Sequence, residues 1–93
     1  MKQQLTEDQF TRLQAVGYPY GNSIGELMQF LSEKWPGDFN ILHFKDRWKI
    51  GTFSEGNWFM KLYWVEEELI DGLFYAAESA LTKNFRSTNS NEL

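Results

Sequence analysis

Ninety-three residues give room for one domain, and a formal net charge of −4 argues against a general nucleic-acid binder, which carries a basic footprint. With no cysteine, disulfides and thiolate metal sites are excluded, and a small domain without bridges fits a reducing compartment. Eight Phe, four Trp and four Tyr supply the core material that so short a chain needs to fold without staples.

The opening Met1-Lys2-Gln3-Gln4-Leu5-Thr6-Glu7-Asp8 has no apolar stretch of signal-peptide type. No run nears the roughly 18 consecutive apolar residues of a membrane span. A cytoplasmic protein with no membrane partner is expected. A first helix is predicted over residues 7–16. Thr6 is its N-cap, Gln9 completes a capping box, and Leu5 and Phe10 sit at the two positions of a hydrophobic staple. Phe10, Leu13 and Val16 recur at helical spacing, and Gly17 stops the run.

A turn through Gly17-Tyr18-Pro19-Tyr20-Gly21-Asn22 leads to Ser23, which caps a second helix, with Glu26 three residues on closing another capping box. Ile24, Leu27, Met28, Leu31 and Trp35 form one apolar stripe, widened by Phe30. Pro36-Gly37-Asp38 ends it, because proline disfavours helical geometry at Trp35.

From residue 39 to 64 the period changes to two. Residues 39–45 read as a strand that is apolar on both alternations, with a tight reversal at Asp46-Arg47. Trp48, Ile50 and Thr52 then alternate with Lys49, Gly51 and Phe53, and Ser54-Glu55-Gly56-Asn57 is a turn. In residues 58–64, Trp58, Met60, Leu62 and Trp64 share one face while Phe59, Lys61 and Tyr63 share the other. The last helix is predicted over 66–84. Leu69, Leu73, Ala77, Ala80 and Leu81 are its buried stripe, widened by Ile70 and Phe74. Glu66, Glu67, Glu68 and Asp71 fall in its first turns, where acids complement the helix dipole, with Lys83 and Arg86 at its far end. The expected fold is therefore α+β: a three-stranded antiparallel meander covered by helices, order α-α-β-β-β-α, as a two-layer sandwich. Residues 1–86 form the single domain and 87–93 a disordered C-terminal tail.

Candidate chemistry is sparse. His43 is the one histidine, and no Gly-x-Ser-x-Gly elbow gives it a nucleophile to serve. Glu67 and Asp71 are the pair of acids that an i, i+4 spacing puts on one helix face, too few for a metal. Gly17, Gly21 and Gly25 outline a loop feeding a helix, without the strand or the lysine of a phosphate loop. No catalytic residue, metal or cofactor is expected, and the chain reads as a non-enzyme.

The second sheet face is the informative feature. Lys49, Phe53, Phe59, Lys61 and Tyr63 point away from the Trp-rich face in this register. Aromatics interleaved with lysine suit a protein partner, a self-dimer or single-stranded nucleic acid, and a layer of the chain itself could also cover them. Lys61 alone also weakens non-native strand pairing.

Leu5-Thr6-Glu7-Asp8-Gln9-Phe10, then Ser23-Ile24-Gly25-Glu26-Leu27-Met28-Gln29-Phe30-Leu31, then Glu68-Leu69-Ile70-Asp71-Gly72-Leu73-Phe74 resemble small accessory proteins of no assigned function, encoded in prophages and mobile elements of gut bacteria. Gly72 stands where that pattern has alanine. The resemblance spans most of 5–82, rests on caps and helix faces, and brings no catalytic residues. It implies a non-catalytic accessory protein of phage or mobile-element type that binds a host or phage protein. The alternative is a nucleic-acid or nucleotide binder using Lys45, Arg47, Lys49 and Lys61 with the same aromatics.

Overall fold

Thr6 opens the first helix as its spacing dictates. The Gln9 N–H donates to Thr6 Oγ1 at 3.2 Å and the Thr6 N–H to Gln9 Oε1 at 3.0 Å, so both arms of the capping box form. In the computed structural model, which describes residues 1–35, 38–53 and 60–84, this helix, α1, runs Glu7–Ala15. Gly17 follows its end at φ +101°, a conformation that needs no Cβ. Thr6→Ala should cost about 1 kcal/mol, read as a fall in the thermal midpoint of about 4–8 °C.

The second helix, α2 (Ile24–Lys34), begins differently from expectation. Ser23 Oγ accepts the Glu26 N–H at 3.2 Å, but the Glu26 carboxylate takes the Ser23 hydroxyl at 2.8 Å and the Gly21 N–H at 2.9 Å rather than closing a capping box. Trp35 leaves the helix at φ −70° and ψ 130°, the extended geometry that a following proline imposes. The N-terminal chain laces this start down. The Leu5 N–H reaches Asn22 O at 2.9 Å, and the Ile24 N–H reaches Gln3 O at 3.2 Å.

Strands β1 (Asn40–Phe44), β2 (Arg47–Phe53) and β3 (Met60–Glu66) form an antiparallel sheet in the order β1-β2-β3. The hairpin turn is Lys45-Asp46 rather than Asp46-Arg47, with Lys45 at φ +53°. β3 runs two residues further than predicted, because Glu66 pairs with Trp48. The register also steps between Thr52 and Phe53, so the strict alternation predicted for residues 58–64 does not run through that point.

The last helix, α3, is Leu69–Thr82, shorter than the predicted 66–84. The expectation that four acids load its first turn is corrected. Glu66 ends β3, Glu67 lies between strand and helix, and Glu68 is an N-cap with no side-chain cap bond, leaving Asp71. Glu68 instead accepts the Lys2 N–H at 2.7 Å. No basic residue occupies the last turn, and Lys83 is the C-cap at φ 59°.

α3 is buried nearly all round, through Leu69, Ile70, Gly72, Leu73, Phe74, Ala76, Ala77, Ser79 and Ala80. It lies directly on β2 and β3, while α1 and α2 pack against it. In the structure α2 meets the sheet through Trp35, whose ring stands edge-on to Trp64 at 5.7 Å and to Phe39 at 5.1 Å. Side-chain contacts tie α1 to α3: the Arg12 guanidinium donates to Glu78 at 2.8 and 2.9 Å and lies 4.9 Å from the Phe74 ring centre, and Gln9 Nε2 donates to Asp71 at 2.9 Å.

Tyr18, in the loop after α1, is 4% exposed and donates to Gly21 O at 2.6 Å. Burial first, then the charge of Glu26, pushes its hydroxyl up to about 12. The unfolded chain gives up this proton near the ordinary value of 10, while the folded chain keeps it until about 12. Stability should be intact below pH 10 and fall between pH 10 and about 12. Denaturant titrations across that window check it. Tyr18→Phe should flatten the fall while lowering stability at neutral pH by about 1 kcal/mol through the lost hydrogen bond.

Candidate functional site

Strand alternation sorts the sheet into two faces. Ile50 and its register partner Trp64 are 0% and 1% exposed beneath the helices. The row one residue along, Leu42–Lys49–Val65, crosses all three strands on the other face. Leu42 is 46% exposed, while Lys49 and Val65 are half-buried. All three helices lie on the Ile50 side, so α1 does not fold across this face as a third layer.

Of the five residues predicted to bind, Lys49 is placed on that face. Phe53 pairs through its backbone with Met60, and Tyr63 with Gly51, while Lys61 is the extra residue at the register step. The side chains of Phe53, Lys61 and Tyr63, the whole of Phe59 and the tail 87–93 lie outside the described residues. Lys45 and Arg47 are exposed at the adjoining hairpin, where Arg47 Nε lies 3.9 Å from Asp46.

The other candidates have structural work. His43 lies flat on its register partner Trp48, with ring centres 4.0 Å apart and planes 12° from parallel. Asp71 accepts Gln9 Nε2 at 2.9 Å, with Lys2 Nζ at 4.0 Å, and Glu67 lies outside the helix, so the two acids do not share a helical face. Glu66 is held above the usual carboxylate range by burial first and by the charge of Asp71 second. Among the described residues no group of three or more His, Asp or Glu could hold a metal ion. In the glycine loop, the Gly21 N–H is spent on Glu26 and the Ile24 N–H on Gln3, leaving the helix start satisfied by its own chain.

Large apolar residues exposed among those described are Met1, Val16, Met28 and Leu42, of which the last two adjoin the sheet. Met28, counted in the buried stripe of α2, is 43% exposed, and Leu42 belongs to a strand whose alternation gave no direction. Between α2 and β1 lies an apolar groove of about 330 Å³ lined by Met28, Leu31, Ser32, Phe39 and Ile41. No helix among the described residues is long and apolar enough to cross a membrane. Compared with known proteins, the chain matches no family model, no curated protein and no solved structure.

Proposed function

We propose that this chain is a non-catalytic interaction protein, of the phage or mobile-element type that its sequence resembles, and that it binds a host or phage protein through the sheet face that no helix among the described residues covers. One observation carries the reading. Three helices crowd one face, while the row Leu42–Lys49–Val65 on the other leaves a large aliphatic side chain half in water. Exposed apolar residues mixed with cations are the composition of a protein interface. Lys49, Phe53, Phe59, Lys61 and Tyr63 are its proposed contacts.

The test is capture from lysate with the intact chain and with a Lys49→Glu/Tyr63→Ala variant, at low and high salt. A stoichiometric protein that survives high salt, and is lost at least about tenfold in the variant, is the expected result. The variant's thermal midpoint should hardly move. If it unfolds, these residues belong to the core and the reading fails. The second reading is favoured by the exposed Lys45 and Arg47 beside Lys49. It predicts nucleic acid bound at low salt and released steeply as salt rises.

A further inference from the structure

Edge strands expose unpaired backbone N–H and C=O groups, and folds guard them with charges, prolines, bulges or covering chain. The two edges of this sheet are guarded unequally. On β3 the register steps at Thr52/Phe53, and the strand carries Lys61 in its sequence. The other edge has neither protection. Asn40-Ile41-Leu42-His43-Phe44 contains no acid, lysine, arginine or proline, and it pairs with β2 in unbroken register. No strand among the described residues lies on its outer side.

The flanks of β1 have opposite signs. Asp38 precedes the strand and Lys45 follows it, both exposed. A strand of that polarity complements an antiparallel copy of itself, because reversal sets each Asp38 end beside the other copy's Lys45 end. We propose that β1 is a self-pairing edge, two copies joining antiparallel about Leu42 into one continuous six-stranded sheet.

A two-fold axis normal to the sheet keeps both helix layers on the same side, so the contact is closed and isologous. In this register Leu42 faces the second copy's Leu42, and Ile41 faces its His43. Asp38 meets the second copy's Lys45-Asp46 turn, one residue from Lys45 and opposite Asp46, whose charge Arg47 offsets at 3.9 Å. Leu42, 46% exposed, is thereby covered by its own equivalent. The apolar groove under α2, which Ile41 and Phe39 help to line, runs beside the same edge and is partly closed by the pairing. The contact uses the sheet's edge rather than its open face, and it holds whether or not that face carries a partner.

The absence of cysteine gives a direct test. Leu42→Cys places one thiol per copy at the axis, where directly opposed Cβ atoms lie about 4.5–5.5 Å apart and can close a disulfide. Oxidation should link this variant into a dimer much faster than Gln14→Cys, a control on α1. Sedimentation of the unmodified chain from about 10 µM to about 1 mM, the range of a small interface, should rise from 11.0 kDa toward twice that mass. Asp38→Lys should weaken association at least about tenfold, and adding Lys45→Asp should restore it.

A mass fixed at 11.0 kDa throughout, or cross-linking no faster than the control, overturns the proposal. So does a dimer indifferent to Leu42→Asp and to the charge swap, which would use another surface. A monomer that dimerises only after deletion of residues 87–93 gives the edge to the chain's own tail, and overturns it too.

Discussion

Trp64→Ala is expected to cost about 3–5 kcal/mol, the range for removing a large, fully buried aromatic. Trp64 is 1% exposed, lies in register with Ile50 on the helix-covered face, and takes the edge of Trp35 at 5.7 Å. It is therefore the side chain through which the end of α2 is joined to the sheet. A chain of this length has about 5–14 kcal/mol of total stability, so the loss is about a fifth of it or more. Urea titration followed by far-ultraviolet circular dichroism gives the number. A cost below about 1 kcal/mol would mean that the site collapses freely, and that α2 is held by other contacts.

Gly72→Ala should destabilise the protein although alanine is the better helix former. On propensity alone the change gains about 1 kcal/mol. Packing opposes it. A Cβ built on Gly72 overlaps Cδ1 of Ile50 and stands 3.1 Å from its Cγ1. Ile50 is 0% exposed, so its side chain can give way only within the core. Overpacking of this kind costs about 1–3 kcal/mol, and a net loss of up to about 2 kcal/mol is expected. The cause is separable. Ile50→Val removes the overlapping methyl, and in that background Gly72→Ala should be neutral or stabilising. A coupling of about 1 kcal/mol or more between the two positions is the predicted result. Simple additivity would place the penalty elsewhere.

The same glycine shows where sequence reasoning stops. Against the resembled pattern Gly72 reads as a weakened helix position, because its reason sits on β2, some twenty residues away in the chain. Caps were legible for the opposite reason: Thr6–Gln9 and Ser23–Glu26 are decided within four residues. The order of elements followed from the change of period. The start of α3 did not, since Glu66 pairs across the sheet with Trp48 and that pairing outweighs the local attraction of acids to a helix start. The direction of Leu42 was equally hidden. Its strand is apolar on both alternations, and only the pairing Ile41↔Ile50 fixes which set is covered. Met28 followed the helical period yet remained exposed, because α2 packs on α3 and leaves a groove above β1. Of the proposed site, the sheet face and Lys49 were readable from alternation. The register step beside Lys61 was not, since a bulge has no signal in period-two spacing.

Hydroxyl-radical footprinting at low micromolar concentration, read residue by residue by mass spectrometry, tests the open face most directly. Leu42, Phe59 and Tyr63 should be labelled as surface residues, while Trp64 and Phe30, each 1% exposed, stay protected. If Leu42, Phe59 and Tyr63 prove as protected as Trp64, the second face of the sheet is covered and cannot be the binding surface.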